Sequence, residues 1–372
     1  MKLLIISNAP FIYKADRAYA YTPYINEMEV WQKYADKIAF CCPVWKHENG
    51  LLITEIPFRV DRHFKLIDFN LNSISNRLKF LFLIPYTIAV LLKAMFWADH
   101  IHLRCPGNVG LLGSCLQVFF PRKIKTAKYA GNWDPNSTQP WSYRLQKKIL
   151  GNTFLTRKMQ VLVYGKWEAM TKNIRPFFTA SYSEVEKLPL LDADLNGPIH
   201  FIFAGMLVEG KHPLYAAQLV GNLFLKGYKV DLVLYGEGPG RNNLKEYISR
   251  NNLEEVIRLE GNQSQQTLKS AYRNSHFIIL PSESEGWPKV IAEGMFWGCV
   301  PIATGVSCVS YMLDYGKRGI LLEMDLEMDL VAVETVLQNE TDFKNKRKLA
   351  SEWSGYYTLD LFEKEIRQLL QE

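Results

Sequence analysis

Three side chains in the second half of the chain have types and spacings suited to an anionic, hydroxyl-rich ligand: Glu285, Glu293 and Lys211. Glu285 sits in a polar, glycine-containing turn after the apolar run Phe277-Ile278-Ile279-Leu280, which reads as a buried strand ending at Pro281. Glu293 follows among Ile291, Ala292, Met295, Phe296 and Trp297, in a stretch that reads as a helix opening at Pro288 and ending near Gly298. A carboxylate on so apolar a helix needs a partner, because unpaired burial is costly. Neighbouring ribose hydroxyls would serve, and so would a Lys or Arg elsewhere in the fold; the residues alone leave both open. Lys211 falls in the turn between a strand at His200–Phe203 and a helix over Pro213–Lys226.

With a second apolar strand at Val300–Ala303, this region reads as strand, loop, helix, strand, a unit that binds phosphate where free N–H groups and the helix dipole meet. Glu285 and Glu293 have seven residues between them, with Gly286 after the first and Gly298–Thr304 (GCVPIAT) after the second. Together with Phe203-Ala204-Gly205, Lys211 and Gly319-Ile320-Leu321, this resembles the E-x7-E signature of family 4 glycosyltransferases over most of residues 199–322. Over the first 180 residues the resemblance is one of layout.

The resemblance implies an α/β chain of GT-B fold, two Rossmann-like doubly wound domains facing across a cleft. It also implies transfer of a sugar from a nucleotide-diphosphate-sugar donor with retention of configuration and without a metal. By the same resemblance Glu285 would accept hydrogen bonds from the transferred sugar, and Glu293 would hold the ribose. Lys211 and the Trp287-Pro288-Lys289 turn would take the diphosphate, with Gly205 and Gly286 alongside and Asn262 and Gln263 against the nucleobase. Catalysis would rest on Glu285 and Lys211. The family usually has Arg directly after the glycine at 205; here that residue is Met206, and Lys289 or Arg318 is expected to replace its charge. The Gly-Gly loop that relatives carry after the first strand is replaced by Asn8-Ala9-Pro10, to which no phosphate role is given.

At 372 residues the chain suits two domains: 1–180, a linker at 181–198, 199–352, and a final helix over 353–372 that crosses back onto the first domain. Hydrophobic content of 48% and charge of 22% are those of a globular protein. Six scattered cysteines with no C-x-x-C pair argue against a disulfide framework or structural zinc. The opening MKLLIISNAP reads as a buried strand and not a signal peptide. Asp192-Ala193-Asp194 has D-x-D spacing but lies in the linker, away from a strand end, so no metal and no cofactor beyond the nucleotide-sugar co-substrate is expected.

In the first half, strands are expected at Leu3–Ser7, Lys37–Cys42, Leu51–Ile56, His100–Leu103, Lys125–Ala130 and Gln160–Tyr164, with helices such as Tyr24–Tyr34 and Ser142–Leu150. Ligands in such sheets meet the residues after the strands. On that ground Arg104, Asn108, Trp133 and Asp134 are acceptor-side candidates, although Arg104 would equally pair with a carboxylate and Asp134 form an Asx-turn before Pro135. In the second half, Gly236-Glu237-Gly238-Pro239-Gly240 lacks the spacing of a dinucleotide fingerprint and reads as a tight turn.

Residues 1–180 carry 25 Lys and Arg against 11 Asp and Glu, a balance of +14, whereas the remainder sums to −8. Arg122, Lys123, Lys125 and Lys128 form one cluster, and Arg144, Lys147 and Lys148 another on one helical face. Phe80–Leu92 carries no charge but is too short to span a bilayer. A lipid-linked diphosphate-sugar acceptor on an anionic membrane surface would make sense of both features. The partners expected are therefore a nucleotide-sugar and a saccharide or lipid-linked saccharide, in the cytoplasm or on the inner face of a membrane. No nucleic-acid-binding motif accompanies the basic half. Rival readings are a GT-B sugar-nucleotide epimerase and a non-catalytic membrane-face subunit.

Overall fold

Short apolar runs punctuated by turn residues form two sheets, as the alternation predicts. The computed structural model describes residues 1–50, 52–68, 74–168 and 170–371, without the side chains of residues 74–82. The expected strand over Leu51–Ile56 therefore begins outside the described residues, as do the side chains of Arg77, Lys79 and residues 80–82 in the apolar stretch.

The first of two units comprises Met1–Phe177 and Glu363–Glu372. Its strands are β1 (Lys2–Ile6), β2 (Phe11–Lys14), β3 (Arg17–Tyr21), β4 (Lys37–Trp45), β5 (Ile53–Glu55), β6 (Arg62–Leu66), β7 (His100–Cys105), β8 (Ile124–Tyr129), β9 (Met159–Tyr164) and β10 (Ile174–Phe177). The parallel part runs β6-β4-β1-β7-β8-β9-β10, and β2, β3 and β5 extend the sheet beyond β4. Among the described residues its helices include α1 (Thr22–Gln32), α2 (Ile74–Trp97), α3 (Asn108–Leu116) and α4 (Trp141–Leu150). Leu91, Ala94 and Met95 of α2 pack in one core with Leu4, Ile101 and Val161. Among the described residues no helix is long and apolar enough to cross a membrane.

The antiparallel β2–β3 hairpin goes beyond the expected parallel alternation. Its turn places Ala15 and Asp16 at φ of 45° and 64°, the left-handed pair that usually advertises itself as Asn-Gly. Without that signal, and with Tyr, Lys and Arg facing solvent, neither strand stands out in the sequence.

The expected basic cluster is corrected by the structure. Lys125 and Lys128 are wholly buried, because β8 is an interior strand covered on both faces. Lys125 Nζ donates to the carbonyl of Phe120 at 3.0 Å, and burial pushes its pKa down to about 8. Lys123 Nζ caps the end of α2 through the carbonyls of Met95 (2.7 Å) and Phe96 (3.0 Å). Lys128 Nζ lies 3.0 Å from Glu27 Oε1, which Arg104 also contacts. These lysines are interior staples and offer no anionic partner a surface. The second cluster is split as well: Lys147 turns inward over the Trp133 ring and donates to the Asp134 carbonyl at 2.9 Å, leaving Arg144 and Lys148 exposed.

The second unit, Phe178–Phe362, holds β11 (Ile199–Ala204), β12 (Val230–Tyr235), β13 (Ile257–Gly261), β14 (Phe277–Leu280), β15 (Val300–Thr304) and β16 (Ile320–Leu322). All are parallel, in the order β13-β12-β11-β14-β15-β16. Its helices are α5 (Pro213–Leu225), α6 (Arg241–Arg250), α7 (Gln265–Arg273), α8 (Lys289–Phe296), α9 (Val309–Met312), α10 (Leu326–Leu337) and α11 (Glu340–Tyr356). The last helix, α12 (Leu359–Gln371), leaves this unit, and its later residues join the first. There Glu363 accepts from Lys33 Nζ at 2.9 Å and from the Tyr34 hydroxyl at 2.8 Å, and Glu365 pairs with Arg175.

Burial disfavours the Glu27 carboxylate, but Arg104 and Lys128 outweigh it and hold its pKa at about 2, against an ordinary value near 4.5. Unfolded chains thus bind the extra proton as pH falls, so the stability Glu27 supplies is complete above about 4.5 and drains away toward 2. Glu27→Gln, which takes the carboxylate away from two buried cations, should cost about 3–5 kcal/mol in urea unfolding near neutral pH. It should also flatten the pH dependence between 4.5 and 2. An unchanged urea midpoint would show that the triad does not hold the first unit together.

Candidate active site

Read from β11 outward, the second sheet has the order 3-2-1-4-5-6, with its switch point between β11 and β14. There the loops after two adjacent strands diverge to opposite faces of the sheet and open a crevice at the carboxyl edge. Lys211 comes from the loop after β11 and Glu285 from the loop after β14, and their side chains form an ion pair. Only 25% of the lysine side chain and 10% of the glutamate's are exposed. The Glu283 N–H donates to the Gly210 carbonyl at 3.0 Å, and His212 Nε2 lies 2.9 Å from Glu283 Oε1, so the two loops are tied beside the pair.

Gly205 stands directly after β11, its N–H donating to the Tyr235 carbonyl at 2.9 Å. The glycines after β12 serve this approach and do more than turn the chain. A Cβ at Gly236 would lie 1.9 Å from the Gly205 carbonyl oxygen, and one at Gly238 2.5 Å from that of Leu207. The loop carrying Lys211 is thereby laid against its neighbour backbone to backbone.

The Glu285 loop is clamped from behind. The Gly286 carbonyl accepts from Cys308 Sγ at 3.0 Å and from the Ser307 hydroxyl at 3.4 Å. Burial, with the Glu285 charge adding to it, pushes the Cys308 thiol up to about 12, so it remains a donor. Trp287 is buried against Trp353 (ring centroids 5.9 Å apart), Tyr357 (5.5 Å) and Phe178 (6.4 Å). Pro288 is the N-cap residue of α8, and Lys289 is its first residue. The leading N–H groups of a helix have no intrahelical acceptor, and at this helix start Lys289 lines a small cavity with Ser181 and Glu293.

Glu293, one turn further along α8, has no cationic partner among the described residues. The Ser181 hydroxyl donates to Oε1 at 2.5 Å and the Tyr272 hydroxyl to Oε2 at 3.2 Å. Burial and the Glu293 charge raise the Tyr272 pKa well above its ordinary value, keeping it a hydrogen-bond donor. A carboxylate satisfied by two hydroxyls, and only half-buried, is chemically ready to take the hydroxyls of a ribose. Gln265 Nε2 donates to the Ser181 carbonyl at 3.2 Å, which brings the loop after β13 to the same place. Asn262 and Gln263 in that loop are exposed.

Met206 is 63% exposed, and neither proposed substitute for its missing charge is equivalent to the other. Arg318 is committed to the carbonyls of Tyr311 (3.3 Å) and Met312 (3.1 Å) and lies over the Trp353 ring. It buttresses the aromatic stack behind Trp287. Lys289 is half-buried and has no ion-pair partner among the described residues.

Sequence reasoning did not reach Ser181 or Tyr272. Ser181 sits in an irregular segment without periodicity, and Tyr272 falls in a helix whose apolar face gives no hint that its hydroxyl is used. In the first unit, Arg104 pairs with Glu27, and the Asn136 N–H donates to Asp134 Oδ1 at 2.8 Å in an Asx-turn. Trp133 is buried edge-on against Tyr129, and Asn108 opens α3. Among the described residues no three His, Cys, Asp or Glu side chains converge to hold a metal.

Residues 193–352 match the model of glycosyl transferases group 1. An uncharacterized glycosyltransferase of Methanocaldococcus jannaschii is 27% identical over 149 residues, 40% of this chain and 42% of the relative, so the match spans less than half of that protein. Among solved structures, the lipopolysaccharide outer core galactosyltransferase WaaB superposes over 100% of this chain and 99% of its own, with a TM-score of 0.68 at 14% identity. Anabaena HepE, solved in complex with UDP and glucose, superposes over 100% and 99% with a TM-score of 0.63 at 14% identity. With two Rossmann-like units and a group 1 match over most of the second, the chain has the GT-B fold of glycosyltransferases.

Proposed function

We propose that this chain is a retaining, family 4-type glycosyltransferase that moves a sugar from a nucleotide-diphosphate-sugar to a lipid-linked saccharide in bacterial surface polysaccharide assembly. The observation that carries the reading is the Lys211–Glu285 pair at the switch point of the second sheet, with hydroxyl-satisfied Glu293 on the adjoining helix. The name of WaaB, a lipopolysaccharide galactosyltransferase, supports a surface glycan as product, and the UDP and glucose bound to HepE support the donor class.

In this reading the ribose hydroxyls displace those of Ser181 and Tyr272 on Glu293, and the nucleobase lies along Asn262 and Gln263. Lys211 moves from its ion pair onto the diphosphate, which frees Glu285 to accept from hydroxyls of the transferred sugar. As the anomeric C–O bond breaks, negative charge gathers on the departing phosphate. Lys211, Lys289 and the α8 N-terminus stabilise it without a metal, and fixed positive groups aimed at developing charge are the strongest single device available. The acceptor oxygen attacks from the face the phosphate is leaving, forms the new C–O bond and gives its proton to the phosphate. Gly205 and Gly286 let the backbone approach. On the acceptor side, Arg104 lies near the end of β7, Asn108 follows that strand, Trp133 and Asp134 follow β8, and Arg104 contributes the N–H groups that Glu27 does not use.

Glu285→Ala and Lys211→Ala should each lower kcat about a hundredfold or more while the chain remains folded. The check is release of nucleoside diphosphate with acceptor present, and release that persists without acceptor would point to an epimerase or hydrolase instead. Lys289→Ala should raise the donor Kd about tenfold, the scale of one charge-assisted phosphate contact. Titration calorimetry with the nucleoside diphosphate reads this directly, and an unchanged Kd would remove Lys289 from the site.

A further inference from the structure

The outward face of α4 carries Trp141, Arg144, Leu145 and Lys148, spaced i, i+3, i+4 and i+7, so they form one stripe opposite the buried Gln146 and Leu150. Trp141 is 66% exposed and Leu145 37% exposed. The turn that follows adds Phe154, 71% exposed, with the Arg157 guanidinium 4.8 Å above its ring. Residues 135–167 contain six Lys and Arg and no Asp or Glu. Large apolar side chains left in water between cations, with no acid in the segment, bury little of their surface within the unit.

We propose that this face of α4 and the turn to Phe154 dock on an anionic lipid bilayer, lying in the interface plane. Trp141, Leu145 and Phe154 would enter the headgroup–acyl boundary, while Arg144, Lys148 and Arg157 meet lipid phosphates. Tryptophan suits this depth because its ring is apolar and its N–H polar. A soluble protein partner is less well matched, since lysine is depleted from the cores of such interfaces and the stripe alternates cation with apolar residue. This assigns membrane contact to α4 and not to the buried lysines of β8, and it does not depend on the donor site.

The test is flotation of the full-length chain with vesicles of phosphatidylcholine, with or without phosphatidylglycerol, together with the wild-type Trp emission. Binding should require phosphatidylglycerol and shift Trp emission to the blue. The R144Q/K148Q double variant should bind about twenty-five-fold more weakly, at about fivefold for each cation removed. W141A/L145A/F154A should lose both the binding and the emission shift. All of these side chains are exposed, so thermal melting should be unchanged and donor binding retained. Failure of the wild type to float with anionic vesicles would overturn the proposal, as would undiminished flotation of both variants. A dimer in sedimentation velocity that these substitutions dissolve, without vesicle binding, would overturn it in favour of self-association.

Discussion

The second unit depends on a constraint of parallel sheets: at the switch point, successive loops must leave on opposite faces, and the gap between them cannot be filled by the chain itself. Here the gap falls between β11 and β14. It is lined by an ion pair that joins those two loops, Lys211 with Glu285. Such a pair at a crevice edge is poised for exchange. Each partner keeps the other neutralised in a half-dry site, and each is released when a ligand brings phosphate for one and hydroxyls for the other. Much of the surrounding packing, from the glycines after β12 to the Trp287–Trp353 stack, serves to keep these loops in register.

The elements of this region were largely legible in the sequence because their signals are local. Phe277–Leu280 is a four-residue apolar strand with clear borders, and Pro288 marks the start of α8 within one residue. Glu293 stood out as a carboxylate on an apolar face. What answered it was not legible, because Ser181 and Tyr272 arrive from segments distant in sequence and carry no periodic signature. Arg318 shows the reverse failure. Its position before Gly319 suggested a phosphate contact, yet its guanidinium is spent on backbone carbonyls and an aromatic ring six to thirty-five residues away in the chain.

In the first unit, charge counts misled where topology decides. Lys125 and Lys128, three apart in Ile-Lys-Thr-Ala-Lys-Tyr, fall on opposite faces of the strand, so on a sheet with one wet face one of them would meet solvent. An interior parallel strand has no outside, and both lysines are buried with carbonyl or carboxylate partners. The positive balance of this half is therefore partly internal, consumed by Glu27 and by helix ends. Exposed cations are spread over the unit, and on α4 and the turn after it Arg144, Lys148, Arg157 and Lys158 stand near the exposed rings of Trp141 and Phe154. The hairpin of β2 and β3 was missed for a different reason, a left-handed Ala-Asp turn in place of the usual glycine.

Both sheets share one plan, with the first strand central and later strands added on either side, and in each the residues after the first and fourth strands of that plan face one another. In the first unit these are Asn8 and Gly107–Val109, where Asn8 Oδ1 accepts from the Val109 N–H at 3.0 Å. In the second they are Lys211 and Glu285. The measurement that bears most directly on the account is a crystal structure of the chain soaked with a nucleoside diphosphate. The account places the diphosphate on Lys211 and the first N–H groups of α8, and the ribose hydroxyls on Glu293 in place of Ser181 and Tyr272. Density for the nucleotide elsewhere, with the Lys211–Glu285 and Ser181–Glu293 contacts undisturbed, would contradict it.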